Sequence, residues 1–295
     1  MRETAIVQRI RALAECGGWA KAIIKGIGDD AAILRPRPNE DLVFTSDFVL
    51  ESRHFTLETH TAAEIGHQAL ARSLSDLAAM GSKPVFSLVS LAVPAQLGSS
   101  WVDGFYKGLL RLAARYGVRL AGGDLARFEK VVADVMCCGR LPRGQAIRRS
   151  GAKPGHQIYV TGTLGGAAHM FALRGKSESP EPRIQAGMAL RRLGVSSGMD
   201  LSDGLSLDLH RLCLESDVGA DLDSDLAIAP GASLEDALHG GEDYELLVTM
   251  PPNRKVPKKV AELPLTRIGS ITEGPAGQIR FRGRLLKPKG FDHFK

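Results

Sequence analysis

Aspartates recur beside glycine, serine or threonine along this chain, beginning in the segment Gly26-Ile27-Gly28-Asp29-Asp30. So many carboxylates cannot share one site unless cations neutralise their charge. Because magnesium takes oxygen ligands and bridges to phosphates, the pattern favours a site for a magnesium–nucleotide complex. Taken singly, each aspartate also fits ordinary turn chemistry. The later members of the set are Asp47, Asp76, Asp124, Asp200 and Asp203.

Composition limits the class of protein. The chain has 295 residues, enough for two domains, and its 44% hydrophobic and 24% charged content is typical of a soluble globular protein. The net charge of +5 is concentrated in the basic stretches 140–153 and 280–289, which could attract anionic partners. Aromatic residues make up only 5% of the chain and offer little for stacking on bases, so we expect no nucleic-acid partner.

The compartment is predicted from what the sequence lacks. The four cysteines have no metal-ligand spacing and form no disulfide framework, which fits a reducing environment. The N-terminal residues alternate charged and apolar side chains without a signal region, and no apolar run is long enough to span a membrane. We therefore expect a cytoplasmic protein without a membrane partner.

Hydrophobic periodicity and turn residues predict alternating strands and helices in both halves. Thr61 and Glu64 form a capping box that opens a helix ending near Gly81. The other predicted elements of the first half are a helix over 4–16, a strand over 42–46 that ends at Asp47, a strand over 85–93, a helix from Ser100, a short strand over 119–121 and a strand over 131–138.

The second half is predicted to follow a basic, glycine- and proline-containing boundary over 140–155. It carries strands at 158–160 and 245–250, a polar loop over 176–182, and a strand end and helix over 199–215. We predict two α/β or α+β domains, residues 1–147 and 148–295.

Two apparent nucleotide motifs do not qualify. Gly26, Gly28 and Ala31 match a relaxed dinucleotide fingerprint, but acids occupy its variable positions and no clear strand precedes it. Gly175-Lys176-Ser177 resembles the end of a P-loop but lacks the required upstream glycine. A phosphate group here would be bound through metal ions.

Several positions suit such a metal site while keeping a structural alternative. Asp76 is predicted in the last turn of its helix, where a carboxylate is disfavoured unless a cation or a lysine compensates. Asp203 also fits a helix cap, as Asp200 does less well. The hydroxyls of Thr45 and Ser46 could complete a magnesium shell or simply end a strand.

Other positions suit phosphate or substrate. Gly122 and Gly123 let the backbone approach a phosphate next to Asp124, and Gly240-Gly241-Glu242-Asp243 repeats this arrangement. Arg149 could stabilise a transferring phosphoryl group or belong to a solvated linker. His54 is a weak candidate, because a lone histidine is more often structural.

At this point the chain resembles the thiamine-monophosphate kinase family, which is related to aminoimidazole ribonucleotide synthetase and selenophosphate synthetase. The resemblance extends over nearly the whole chain and favours the thiamine-phosphate branch because of its Gly-Gly-Glu-Asp-Tyr-Glu-Leu block. It rests on Gly26 to Ala31, Asp47 with His54-Phe55, Leu74 to Gly81, Gly122-Gly123-Asp124, Arg149 to Gly155, Val160 to Thr163, Asp200 to Leu205, Gly240 to Leu246 and Gly290 to Phe294.

The resemblance implies transfer of phosphate from ATP to thiamine monophosphate, an N-terminal mixed sheet with helices that forms a homodimer, and a C-terminal α+β sandwich. It implies that Gly122, Gly123, Arg149 and Ser202 contact ATP, that His54, Glu242 and Phe291 contact thiamine monophosphate, and that Asp30, Asp124, Arg149 and Asp203 take part in catalysis. It implies that magnesium is bound by Asp30, Thr45, Ser46, Asp47, Asp76, Asp124, Asp200 and Asp203.

Two departures from the family pattern are visible: the hydroxyl pair is Thr45-Ser46 rather than Ser-Thr, and the stretch 221–238 is short. Three alternatives stay open at this point. They are a sister ATP-dependent synthetase activity, a non-catalytic protein that binds Mg-ATP, and a basic RNA-binding protein.

Overall fold

The computed structural model describes residues 9, 10, 12, 13, 23–25, 33, 34 and 36–291. Its helices are α1 (Ala62–Ala79), α2 (Ser99–Tyr116), α3 (Gly166–Arg174), α4 (Ile184–Leu193), α5 (Leu205–Glu215) and α6 (Leu234–His239). Its strands are β1 (Ile23–Lys25), β2 (Ile33–Leu34), β3 (Glu40–Leu50), β4 (Lys83–Val93), β5 (Arg119–Arg127), β6 (Val132–Pro142), β7 (Gln157–Thr161), β8 (Ser197–Asp200), β9 (Gly219–Leu222), β10 (Leu246–Met250), β11 (Lys259–Val260), β12 (Leu263–Thr272), β13 (Ile279–Phe281) and β14 (Arg284–Leu286).

The chain divides into two compact units, the first comprising Met1–Leu77 and Lys83–Gly144 and the second Ala78–Ser82 and Gln145–Lys295. Both units mix helices with sheets, so the predicted α+β class is confirmed. Most of the helix predicted over 4–16 lies outside the described residues, although Arg9, Ile10, Ala12 and Leu13 are helical.

The first unit contains a four-stranded sheet in the order β3-β6-β4-β5, with only the β4–β5 pair parallel. Helix α1 begins at the predicted capping box, in which Thr61 and Glu64 exchange hydrogen bonds. Its Leu70, Leu74 and Leu77 are fully buried, as the periodicity predicted. The Ser73 hydroxyl donates to the carbonyl of Val135 at 2.6 Å, which places α1 against one face of the sheet.

All four strands of this sheet are longer than predicted, and the extensions of β3 and β5 change the position of candidate site residues. Strand β3 continues to Leu50, so Asp47 lies inside the strand rather than at its end. Strand β5 continues through Gly122 and Gly123 to Arg127. The pairing of β3 with β6 is unbroken, and the pairing of β5 with β4 continues to Arg127 after a register shift between Ser87 and Leu88. In both cases strand pairing carries the polar residues along, and periodicity alone does not report that pairing.

The second unit contains an eight-stranded sheet in the order β14-β13-β9-β12-β7-β10-β8, with β11 paired to β12. The predicted apolar face of α5 packs into its core, where Leu205, Leu209 and Leu212 are buried. The predicted polar loop over 176–182 contains no helix or strand.

Cys137, Cys138 and Cys213 are free thiols buried in packing positions. Among the described residues, no helix combines the length and apolar character needed to cross a membrane.

Candidate active site

In the first unit, the structure brings Thr45, Asp47 and Asp76 together between β3 and α1. The Thr45 hydroxyl donates to Asp76 Oδ2. Asp47 Oδ2 is buried and has no hydrogen-bond partner among the described residues. Asp76 lies in the last turn of α1, as predicted. A buried carboxylate oxygen without a donor is costly unless a cation or a proton compensates it.

The electrostatics of Asp47 and Asp76 also indicate that positive charge is missing near these two carboxylates. Burial, followed by the neighbouring Asp76 carboxylate, raises the pKa of Asp47 to about 6, against the opposing effects of Arg72 and Ser73. Carboxylate and hydroxyl oxygens are the ligands that magnesium prefers, so these residues fit a divalent cation.

A complete metal shell is not present in the described part of the chain, where no group of three or more His, Cys, Asp or Glu side chains is arranged to hold a metal ion. Further ligands would have to come from phosphate, water or residues outside that part. Asp30 and the glycines Gly26 and Gly28 lie outside it.

The Ser46 side chain belongs to the other face of the sheet. Its hydroxyl donates to Asp134 Oδ1 at 2.5 Å. Asp134 pairs with Ser90, which in turn pairs with Asp124, so these residues form one row across the sheet. Because neighbouring residues of a strand alternate between faces, the hydroxyls of Thr45 and Ser46 do not meet. Asp134 was missed by the sequence reasoning, although an acid inside the apolar run 131–138 was a usable signal.

Asp124 is exposed, and its carboxylate accepts the backbone N–H of Leu125 at 2.9 Å. The preceding Gly123 has φ 149°, and a Cβ there would lie 1.9 Å from the carbonyl oxygen of Val89. Close packing of β5 on β4 is therefore sufficient to explain this glycine, without a phosphate.

His54 lies in the turn after β3. Its Nδ1 accepts the backbone N–H of Leu50 at 2.9 Å, which leaves the proton of a neutral ring on Nε2.

In the second unit, the loop that joins β8 to α5 is held by one buried carboxylate. Asp208 Oδ2 accepts the backbone N–H groups of Ser202, Asp203 and Gly204 at 3.1, 3.0 and 3.1 Å. Burial raises the pKa of Asp208 to about 6. Arg211 bridges the two acids, donating to Asp203 at 2.5 Å and to Asp208 at 2.9 Å. Sequence reasoning missed Asp208, whose signal was an acid in the first turn of a helix.

Glu242 is attached to the same loop. Its N–H donates to the carbonyl of Ser202 at 2.7 Å, and the N–H of Tyr244 donates to that of Leu201 at 2.8 Å. Asp200 is buried at the end of β8, so the structure brings Asp200, Ser202 and Glu242 into one region. Ser177 from the 176–182 loop donates to Glu242 Oε2 at 2.8 Å.

The neighbouring acids of the Glu242 block have structural roles. Asp243 accepts the N–H groups of Gly165 and Ala167 at the start of α3, at 2.6 and 3.2 Å. The buried Glu245 forms an ion pair with Arg183 at 2.6 Å. Much of this block is therefore explained by folding, and Glu242 is its candidate for contact with substrate.

Phe291 reaches the same region, since its N–H donates to the carbonyl of Asp203 at 3.2 Å. Arg149 does not. Its carbonyl accepts the hydroxyl of Ser216 at the C-terminal end of α5, whereas Asp203 precedes the N-terminal end. An 11-residue helix is about 16 Å long, so the Arg149 backbone is remote from Asp203.

Comparison with known proteins gives a consistent result across the chain. Residues 28–141 match the N-terminal domain of AIR synthase related protein, and residues 153–282 match its C-terminal domain. Thiamine-monophosphate kinase of Escherichia coli K12 is 36% identical, with 91% of each chain covered. This chain belongs to the thiamine-monophosphate kinase family.

Solved structures of similar chains support this membership. The thiamine-monophosphate kinase of Stenotrophomonas maltophilia K279a is 35% identical with a TM-score of 0.83, covering 97% of this chain and 98% of that one. A chain described as AaThiL complexed with AMPPCP and TMP is 30% identical with a TM-score of 0.79, covering 100% and 99%.

Proposed function

We propose that this protein transfers a phosphoryl group from ATP to thiamine monophosphate and forms thiamine diphosphate. The observation that carries the proposal is the likeness, over the full chain, to a relative described in complex with AMPPCP and TMP. The acceptor phosphate is already ionised at neutral pH, so the reaction needs no strong general base. Direct in-line transfer without a covalent intermediate then depends on positioning and on charge neutralisation.

Magnesium is part of the proposal. Asp47, Asp76 and Thr45 would hold it in the first unit, which fits the buried Asp47 oxygen that has no donor in the described part of the chain. Asp30, Ser46, Asp124, Asp200 and Asp203 are the remaining proposed magnesium ligands. Because Ser46 and Asp124 belong to the opposite face of the sheet from Asp47, they would bind a separate magnesium ion. When bound, the metal would neutralise phosphate charge that these acids would otherwise repel.

The chain's own residues would orient the two substrates. Ser202, Gly122 and Gly123 are proposed to bind ATP, and Arg149 to stabilise the charge of the transferring group. Glu242, His54 and Phe291 are proposed to contact thiamine monophosphate. Glu242 and Phe291 both form backbone hydrogen bonds to the 201–204 loop. This supports the proposal that these two residues of the second unit contact thiamine monophosphate at one site.

We also propose a cytoplasmic homodimer in which residues 1–147 bind metal and the partner, and residues 148–295 bind substrate and nucleotide. Phe44 and Phe48 support the dimer, because they are 58% and 57% exposed on the sheet face opposite α1. Light scattering should show a dimer that dissociates when both are changed to serine. Changing the equally exposed Phe171 in the second unit is the matched control.

ADP release with thiamine monophosphate, with free thiamine and without an acceptor tests the activity. We expect release only with the monophosphate, together with an equal amount of thiamine diphosphate and a requirement for magnesium. Asp30→Asn should abolish turnover while the protein stays folded. ADP release with a formylglycinamidine ribonucleotide instead would identify a sister synthetase, and Mg-ATP binding without turnover would identify a nucleotide-binding protein.

A further inference from the structure

The C-terminal segment 289–291 is attached to the start of α5 through the side chain of Ser206. The Ser206 hydroxyl donates to the carbonyl oxygen of Lys289 at 2.8 Å and accepts the N–H of the same residue at 3.1 Å. Nδ1 of His239, the last residue of α6, lies 2.7 Å from the same hydroxyl oxygen. Ser206 is completely buried, so water does not compete for these bonds.

The hydrogen-bonding capacity of Ser206 determines the protonation of its neighbour. A hydroxyl has one proton and two acceptor sites. Because the proton is directed to the Lys289 carbonyl, the Lys289 N–H and the His239 ring must both donate. His239 therefore carries a proton on Nδ1, and the hydroxyl is fully used.

The two residues after Lys289 lie against the 201–204 loop. A Cβ on Gly290 would come within 2.4 Å of the carbonyl oxygen of Asp203, so only glycine allows this approach. Phe291 then donates its N–H to the same carbonyl. The carbonyl of the adjacent Ser202 accepts from Glu242, which connects the segment to the proposed substrate site.

We propose that Ser206 and His239 are positioning residues that hold Phe291 in place for thiamine monophosphate. This inference rests on the proposed function. Chain termini are poorly ordered unless contacts hold them in place. If the segment is already ordered before the substrate binds, binding does not lose the free energy that ordering it would cost. The exposed ion pair between Lys289 and Glu235 is a weaker attachment, because both side chains are more than half exposed.

Steady-state kinetics of Ser206→Ala tests the positioning role. We call the hydrogen bonds of the Ser206 hydroxyl to Lys289 and His239 the anchor. Their loss should raise KM for thiamine monophosphate about 10-fold and leave KM for ATP within about 2-fold, because one buried hydroxyl and its hydrogen bonds are removed. His239→Asn keeps a donor near the Nδ1 position and should remain close to wild type, whereas His239→Ala should resemble Ser206→Ala. Gly290→Ala, outside any helix, should give the same KM change if Ser206→Ala fails to fold.

Amide exchange of the C-terminal peptide, measured without substrates, tests the anchor independently of catalysis. Exchange at Lys289 and Phe291 should be faster in Ser206→Ala than in wild type and unchanged in Glu235→Gln. Unchanged exchange in Ser206→Ala would overturn the anchor, and faster exchange with an unchanged KM for thiamine monophosphate would overturn the positioning role. Absence of kinase activity in wild type would defeat the proposed function and, with it, the positioning role, while leaving the anchor to be decided by exchange.

Discussion

The buried carboxylate of Asp208 fixes the backbone of Asp203, whose N–H donates to Asp208 Oδ2 at 3.0 Å. The same oxygen also accepts from Ser202 and Gly204, so one side chain fixes three consecutive N–H groups of the loop. The other oxygen faces Arg211, which satisfies the remaining charge. The position of the proposed ATP and metal residues in this unit therefore depends on a fully buried residue that is not itself among the proposed ligands.

Asp208→Asn should disturb this loop. An amide cannot accept three N–H groups on one oxygen and also present an acceptor to Arg211, so we expect a loss of about 1–3 kcal/mol in the free energy of unfolding. Turnover should fall as well, because Ser202 and Asp203 lose their support. Urea unfolding and ADP release measure the two effects. Asp225→Asn, an exposed acid, should change neither, and wild-type behaviour of Asp208→Asn would contradict the supporting role.

Local pattern was sufficient to predict much of the fold. The capping box at Thr61 and the buried leucines of α1 and α5 follow from short-range rules, and the structure confirms them. The ends of β3 and β5 were wrong because long-range pairing decides where a strand stops.

In the candidate site, too, local features were predictable from the sequence and long-range contacts were not. The pairing of Asp47 with Asp76 joins a strand to a helix that is distant in sequence. The recurring aspartates suggested a shared cation site, and the resemblance to a family named these two residues among its ligands. Asp208 and Ser206 were missed because each binds backbone N–H or C=O groups, and the positions of those groups are known only from the folded structure. The alternation of strand side chains, which places Ser46 and Thr45 on opposite faces, could have been predicted from the sequence. It was overlooked because Thr45, Ser46 and Asp47 were treated as one group of ligands.

Asp47→Asn should separate stability from function. Removing one charge from a buried carboxylate pair should raise the melting temperature in EDTA by about 2–4 °C. The same change should abolish turnover and reduce the stabilisation that magnesium gives to wild type. Thermal unfolding with EDTA and with magnesium, followed by an activity assay, measures this. A variant that melts earlier in EDTA would show that Asp47 contributes a favourable contact instead.

Gly123→Ala should destabilise the first unit whether or not nucleotide is present. Its Cβ would lie 1.9 Å from the Val89 carbonyl oxygen, and its φ of 149° is unfavourable for alanine. We expect a loss of about 3 kcal/mol or more in the free energy of unfolding. Gly122→Ala is the matched control, since its Cβ would meet only the flexible end of Leu88 at 3.2 Å. If both variants unfold alike and Gly123→Ala loses only ATP binding, the packing explanation fails.

Glu242→Ala should weaken binding of thiamine monophosphate more than binding of ATP. Glu242 is joined to the 201–204 loop by its backbone, so removing its side chain leaves Ser202 in place. Separate titrations of the two ligands measure the difference. Ser177→Ala removes the hydroxyl that donates to Glu242 and should not reproduce the full loss. An equal effect of Glu242→Ala on both ligands would remove Glu242 from the substrate site.

Asp243 should make stability depend on pH in an unusual direction. Burial raises its pKa from 3.8 to about 6, so the folded state binds this proton more tightly than the unfolded state. The free energy of unfolding of wild type, relative to Asp243→Asn, should therefore increase by about 2 kcal/mol as pH falls from about 7 to about 4. Urea unfolding of both proteins across this range measures the difference. Asp236→Asn provides a control of opposite sign, because hydrogen bonds from Ser233 lower the pKa of Asp236. Wild type should lose stability relative to that variant as pH falls below about 4, so urea unfolding of this pair is extended to lower pH. A difference for Asp243 that stays flat or grows with rising pH would mean that its contacts at the start of α3 favour the charged form more than burial opposes it.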